Sequence, residues 1–205
     1  MISSLATAGG TLALAGVTYA SVRSGNRAAR VAEQSLLVGL RPLLMPSRLD
    51  DPPQKVGFAD GKLLHAPGGG GAAEATDEAV YLTFGVRNVG SGIAVLHGWY
   101  FHPERMIGIS EHPAPEEFTR LSRDLYIAPG DVGFWQGTFR DASSDEFAAA
   151  RHAVEAREPV TVDVLYGDYE GGQRMISRFL LAPRADDGWL AAVGRHWNVD
   201  RADPR

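Results

Sequence analysis

The sequence contains no cysteine, which excludes a disulfide framework, a lipidated N-terminal cysteine, thiolate metal sites and a cysteine nucleophile. Lysine is nearly absent as well, since it occurs only at Lys55 and Lys62, and arginine supplies almost all of the basic charge. The formal net charge is −5, which argues against a general affinity for nucleic-acid phosphates. We therefore expect no nucleic-acid partner.

The signature motifs of common enzymes are also missing. The chain has no Gly-x-Ser-x-Gly elbow, no His-Glu-x-x-His pair and no dinucleotide-binding fingerprint. The glycine run at residues 68–71 lacks the Gly-Lys-Ser/Thr ending of a phosphate-binding loop, and we interpret it as a flexible loop. These absences predict a protein that is not an enzyme and that holds no cofactor.

Charged side chains are absent from residues 2–22. As a helix this segment would be about 31 Å long, close to the hydrocarbon thickness of a bilayer. It is rich in Ala, Gly, Ser and Thr, so it would be a marginal span. We expect a transmembrane anchor over residues 1–22. Its large apolar side chains for lipid contact are Ile2, Leu5, Leu12, Leu14, Val17 and Val22.

Two other interpretations of this segment stay open. It resembles a cleaved signal peptide at Thr18-Tyr19-Ala20, although a signal peptide needs a basic region before its apolar stretch and none is present. It could also be a soluble Ala-rich helix or a disordered leader. Small residues recur along it at steps of four, three and four. This spacing is expected of a seam that packs against a second copy or a partner helix, and it also arises by chance in an Ala/Gly-rich segment. The seam residues are Gly9, Ala13, Gly16 and Ala20.

The first basic residues, Arg23, Arg27 and Arg30, follow this segment and fall on one helix face. Juxtamembrane arginines stay on the cytoplasmic side and contact anionic head groups. We therefore expect a single-pass protein of the cytoplasmic (inner) membrane whose C-terminal domain faces the cytoplasm. An amphipathic juxtamembrane helix is expected over residues 23–40, with Asn26 as a possible cap and Gly25 weakening its continuity with the span.

Residues 41–200 show the alternation and turn signals of a mainly β domain. Val80, Leu82, Phe84 and Val86 alternate with polar or small residues, which predicts a strand with one buried face. We predict seven to nine short strands, a minor hairpin around Asp60-Gly61, and one internal helix from about residue 145 to 157, capped by Ser143. Because helical crossovers are missing, the order favours an immunoglobulin-like antiparallel β-sandwich. Residues 201–205 should fray.

Several turn and strand motifs along the chain are the basis of a resemblance to a protein family. They are residues 87–94 (Arg-Asn-Val-Gly-Ser-Gly-Ile-Ala), residues 128–131 (Ala-Pro-Gly-Asp) and residues 166–168 (Tyr-Gly-Asp) before a Gly-Gly turn. Together with the uncharged N-terminal segment they make the chain resemble uncharacterised single-span actinobacterial membrane proteins that carry a small β-sandwich domain. The resemblance covers most of the chain and implies a fold, but no activity.

Histidines and carboxylates are the candidate residues for a metal-binding or hydrolytic site. His97 and His102, with nearby Glu104, Glu111 and His112, could bind a divalent ion, but the spacing matches no ligand pattern. Five is an odd step, so His97 and His102 should point to opposite faces of their strand, as surface histidines. The acidic candidates for hydrolysis are Asp131, Asp163, Asp168 and Glu170. Asp168 lies beside a glycine turn, and we expect it to bond turn backbone groups.

Aromatic residues are the last candidates for a binding site, because an exposed aromatic pair could bind carbohydrate or peptide. Trp99 and Phe101 flank Tyr100, and we expect these two residues to lie in the core. We expect Trp135, Trp189 and Trp197 to lie in the core or at its rim. The function expected is a non-enzymatic protein-binding or scaffolding module, with edge-strand pairing as one recognition mode. An exported ligand- or envelope-binding domain and a metal-dependent hydrolase are the alternatives.

Overall fold

The computed structural model of the chain describes residues 2–103, 106 and 111–203, with the side chains of residues 2–17, 34 and 122 excepted. Two compact units are present, residues 1–39 and residues 40–205. The first is a helix, α1 (Ile2–Gly39). The second contains a helix α2 (Asp145–Glu155), a short 3-10 turn (Pro115–Glu117) and strands. The strands are β1 (Leu44–Pro46), β2 (Gln54–Gly57), β3 (Leu63–Ala66), β4 (Gly70–Ala75), β5 (Val80–Asn88), β6 (Ala94–His102), β7 (Thr119–Ile127), β8 (Val132–Phe139), β9 (Val160–Asp168), β10 (Arg174–Pro183) and β11 (Trp189–Asn198).

Helix α1 is continuous, whereas two separate helical segments were expected. Gly25 lies within it, exposed and with open space around its Cα. A glycine weakens a helix by roughly 1 kcal/mol relative to alanine but does not interrupt its hydrogen bonding. The predicted junction at residues 22–26 is therefore helical throughout, and Asn26 lies inside the helix and does not cap it.

Within the described part of the chain, no helix combines the length and the apolar character needed to cross a bilayer. Val22 and Ala20 are exposed side chains of α1. The other residues of the expected span and seam are not among the described side chains. These are Ile2, Leu5, Gly9, Leu12, Ala13, Leu14, Gly16 and Val17.

The mainly β architecture predicted for residues 41–200 is confirmed. Nine strands form one antiparallel sheet in the order β8-β5-β4-β11-β10-β9-β6-β7, with β1 pairing to the far end of β5. Strands β4 and β11 join the two halves of this sheet through two residue pairs, Trp189 with Gly71 and Leu190 with Gly70. The predicted minor hairpin also forms, as β2 paired with β3 around Asp60-Gly61.

The sheet folds over on itself, so its two halves face each other across one core. Rings from β6 contact rings from β8, although five strands lie between these two in the sheet order: Trp99 lies 5.5 Å from Trp135, and Phe101 lies 4.9 Å from Phe139. Phe84 of β5 contacts Phe179 of β10 at 4.9 Å. Helix α2 adds its apolar face to this core. Burial of these large rings is the main source of stability.

The glycine run contains a strand that was not predicted. Gly70 and Gly71 begin β4, and a Cβ on Gly71 would lie 2.3 Å from the carbonyl oxygen of Thr83. The absence of a side chain allows the close strand approach that turns the sheet over at this point. Composition alone favoured a loop, which is correct for Gly68 and Gly69, since they lie in a turn, but wrong for Gly70 and Gly71.

Helix α2 is capped by Ser144, whose side chain accepts a hydrogen bond from the Phe147 amide at 3.1 Å. The predicted cap, Ser143, instead donates to Asp141 in the preceding turn. Both serines fit a capping pattern, and the helix begins one residue further along. At the other end of the domain, the carboxylate of Asp203 accepts a hydrogen bond from the Asn198 amide at 2.8 Å.

Asn88 holds the loop of residues 88–92 to the segment that follows α1. Its side chain accepts hydrogen bonds from the amides of Leu43 (3.1 Å) and Gly90 (3.0 Å) and donates to the carbonyls of Gly92 (2.7 Å) and Ile127 (2.9 Å). Asn88 is fully buried. The Arg-Asn-Val-Gly-Ser-Gly motif that supported the resemblance is therefore a structural device.

We expect Asn88→Ala to lower the free energy of unfolding by roughly 3 kcal/mol, because buried backbone groups lose their partners. Urea unfolding followed by tryptophan fluorescence measures this, since all four tryptophans lie in residues 40–205. Val89→Ala is the matched control, because Val89 is half exposed and should change little. Equal midpoints for the two variants would contradict the role of Asn88.

Candidate functional site

The edge between β7 and β8 is the candidate binding site. These strands follow one another in the chain but pair with different neighbours, β7 with β6 and β8 with β5. Within the described residues, no ladder joins β7 to β8. The outward edge of β8 therefore presents backbone amides and carbonyls without a strand partner, which is the usual template for adding another strand.

The two strands lie close at their connecting turn and separate beyond it. Near the turn, a Cβ on Gly133 would lie 2.7 Å from the Ile127 side chain. Further along, the guanidinium of Arg123 donates to the Gln136 side chain at 2.8 Å and lies over the Phe134 ring. Past this bond the strands border a groove of 160 Å³.

The groove is lined by apolar and basic residues. Trp99 is among them, and Gly137 of β8 carries no side chain there because a Cβ would lie 2.7 Å from the Trp135 ring. Phe58 and Ala59, from the connection between β2 and β3, also line it. The remaining residues that line the groove are Thr119, Arg120, Leu121, Gln136, Thr138 and Arg140.

Arg140 is held in place by the β2–β3 hairpin. Its guanidinium lies 3.0 Å from the carboxylate of Asp60. The Tyr81 hydroxyl donates a hydrogen bond to the same carboxylate and, with the Lys62 amide, lowers the pKa of Asp60 to about 2. Asp60 is therefore ionised at neutral pH and fixes the position of Arg140. The Arg120 side chain, by contrast, is exposed and makes no hydrogen bond or ion pair to the described residues.

The β7 side of the groove is irregular. The pairing of β7 with β6 jumps from Leu125 opposite Leu96 to Arg120 opposite Gly98, so the intervening residues of β7 bulge away from the ladder. The β5–β8 ladder, in contrast, runs without a register shift along the whole of β8. Because bulges discourage strand addition, β8 is the regular edge that an incoming strand would use.

His97 lies at a bulge in β6, and this overturns the expectation that His97 and His102 face opposite sides. The register of β6 against β9 shifts between Leu96 and Gly98, which inserts one residue and restores both histidines to the same outer face. His97 lines a cleft of 510 Å³ with Arg120, Arg174 and other side chains. Desolvation by the cleft lowers the pKa of His97, and the charge of Arg174 lowers it further, although the residue keeps contact with solvent.

His102 is not a surface histidine, because it belongs to a buried ion cluster. Its Nε2 lies 2.9 Å from a carboxylate oxygen of Asp163, which is fully buried. The Arg178 guanidinium donates two hydrogen bonds to Asp163, at 2.7 and 2.6 Å, and one to the Glu111 carbonyl. Asp163 is therefore committed to Arg178 and His102, and it is not paired with another carboxylate for hydrolysis.

The remaining candidate residues have structural roles. Asp168 accepts hydrogen bonds from the Gly172 amide (2.8 Å) and the Gln173 side chain (3.1 Å), which confirms its predicted turn role. Trp99 and Phe101 are core residues as predicted, and Tyr100 faces the opposite side near Phe118. Trp135, Trp189 and Trp197 are buried too.

In the described part of the chain, no three histidine, aspartate or glutamate side chains are placed to hold a metal ion together. Glu104, one of the residues considered for such a site, lies outside the described residues. His112 contacts the Trp197 ring at 5.5 Å and its own neighbour's carbonyl, on Pro113.

The structure thus locates a groove that the sequence did not single out. Edge-strand pairing was expected in general terms, but no sequence signal marks which strand is left unpaired. Arg120, Arg123 and Arg140 are scattered basic residues in the sequence. The fold brings them to one rim, because β7 and β8 belong to opposite halves of the sheet.

We expect Asp163→Asn to destabilise the domain by roughly 3 kcal/mol, because it leaves the buried Arg178 charge without its carboxylate. The measurement is the free energy of unfolding in urea. Asp186→Asn serves as the matched control, since Asp186 pairs with Arg184 in an exposed turn and should cost about 0.5 kcal/mol or less. Combining Asp163→Leu with Arg178→Met should recover much of the loss. A loss of less than about 1 kcal/mol in the free energy of unfolding for Asp163→Asn would contradict a stabilising role for the buried pair of Asp163 and Arg178.

A scan of protein-family models finds no match for this chain, and no curated protein or solved structure is significantly similar to it.

Proposed function

We propose that residues 40–205 form a non-enzymatic protein-binding module that takes an extended segment of another polypeptide against the free edge of β8. The observation that carries the proposal is the unpaired, regular edge of β8 beside a groove lined by apolar and basic residues. Main-chain pairing would supply affinity, and the groove would accept alternate side chains of the added strand.

The segment would pair with the outer half of β8, beyond the Arg123–Gln136 bond. This stretch, Gly137 to Phe139, is the part of β8 that lies past its side-chain hydrogen bond with β7. Gly137 has no side chain, because the rings of Trp135 and Trp99 fill the space beside it, and the partner's side chains would instead meet Thr138, which lines the groove.

The experiment selects peptides from a displayed random library against the full-length chain in a mild detergent. Thr138→Cys, modified with a bulky maleimide, blocks the groove, and the label is unique because the chain has no cysteine. Selected peptides should bind the unmodified protein and slow amide exchange in residues 136–139. The blocked protein should bind the same peptides with an affinity lower by about tenfold or more.

Tyr169→Cys with the same label is the matched control, since Tyr169 is exposed in the turn after β9 and away from the groove residues. It should leave binding unchanged. Peptides that bind both labelled proteins equally, or that protect amides outside β8, would overturn the proposed site.

We also propose that α1 tethers this module to the cytoplasmic membrane and that the module faces the cytoplasm. The uncharged residues 2–22 and the exposed Arg23, Arg27 and Arg30 behind them support this. We further propose an immunoglobulin-like sandwich, which the antiparallel pairing and the facing halves support. The β4–β11 ladder, which makes the halves one sheet, is a departure from that arrangement.

A C-terminal fusion to a phosphatase that is active only outside the cytoplasm tests the orientation. The wild-type fusion should be inactive, and replacing Arg23, Arg27 and Arg30 together by glutamate should raise its activity several-fold, because positive charge retains the flank in the cytoplasm. A fusion to a cytoplasm-active reporter is the control for expression. Strong phosphatase activity from the wild-type fusion would contradict the orientation.

A further inference from the structure

We infer that the polypeptide segment taken up by β8 is acidic, with carboxylate side chains that meet the arginines of the groove. This inference rests on the proposed function and names the chemistry of its partner. Three guanidinium groups stand at the edge: Arg120 and Arg140 line the groove, and Arg123 crosses from β7 to β8 beside it.

No carboxylate is among the residues that line the groove in the described part of the chain. Asp60, the acidic partner of Arg140, is already engaged by that guanidinium and by the Tyr81 hydroxyl. The Arg120 side chain lies between this groove and the His97 cleft, where Glu116 and Asp124 are also lining residues, but it makes no hydrogen bond or ion pair with the described residues, so its charge is available to a ligand. The groove is therefore positive on balance.

This local charge is opposite to that of the whole chain, whose formal net charge is −5. A positive groove on a negative protein attracts acidic segments to one place and repels them elsewhere, which favours correct docking. Arginine also binds carboxylates through two parallel hydrogen bonds, which adds directionality to a strand held by its backbone.

The same charges disfavour a second copy of the chain as the occupant. A symmetric pairing of β8 with β8 would bring Arg120, Arg123 and Arg140 of two molecules together across one interface. Like charges placed opposite one another are destabilising. The geometry therefore points to a different, acidic polypeptide.

The experiment uses four fluorescent peptides of the same length as β8, which has 8 residues. In three of them valine alternates with glutamate, threonine or lysine. The fourth has the composition of the glutamate peptide but carries prolines that prevent strand pairing. Binding to the full-length chain in a mild detergent is measured by fluorescence anisotropy, at low and at high salt.

The glutamate peptide should bind about tenfold more tightly than the threonine peptide, and the lysine and proline peptides should bind weakly. Arg120→Ala should weaken the glutamate peptide about fivefold and leave the threonine peptide unchanged. High salt should reduce the difference in affinity between the glutamate and threonine peptides. Arg184→Ala is the matched control, because Arg184 pairs with Asp186 in an exposed turn.

The outcomes separate the two proposals. Equal binding of the glutamate and threonine peptides, both lost on blocking Thr138, would overturn the acidic partner and leave strand addition standing. Equal binding of the proline peptide would show charge attraction without a strand and would overturn both. A concentration-dependent dimer that is abolished by the Thr138 label would identify a second copy as occupant and also overturn the inference.

Discussion

Ring packing between the two halves of the sheet is the interaction on which the rest of the structure depends. Trp99 and Phe101 from one half meet Trp135 and Phe139 from the other, and Phe84 meets Phe179. Backbone pairing contributes little to this closure, because among the described residues the short β4–β11 ladder is the only one that joins the two halves. Apolar burial therefore brings β7 and β8 side by side while their backbones stay unpaired.

The groove and the buried ion cluster illustrate two uses of arginine in a chain with almost no lysine. Arg178 is enclosed with Asp163 and His102, where its planar group makes paired hydrogen bonds to one carboxylate. Arg120 stands at the rim of the groove with its charge open to a ligand. Burial and pairing make the first a structural group, whereas exposure beside a free strand edge makes the second a recognition group.

Local patterns in the sequence located strands well but did not always predict their burial. One buried face was expected for β5, whereas both faces are buried, because Tyr81 on its other face packs against Phe58 of the β2–β3 hairpin. The alternation at Val80, Leu82 and Phe84 identified β5, and the turn role of Asp168 followed from its neighbouring glycines. The patterns failed where one residue changes the register. The bulge at His97 reversed the expected faces, and Gly70 and Gly71 entered a strand, because both depend on how a distant strand approaches. The unpaired edge of β8 is likewise a property of the whole sheet order.

The two residue pairs that link β4 to β11 have a consequence for how the domain unfolds. A ladder that short cannot transmit order from one half-sheet to the other through backbone bonds. Cooperativity must therefore pass through the interlocked side chains. Because both half-sheets bury their inner faces against the same rings, loosening that cluster would destabilise the two halves together and keep unfolding a single transition.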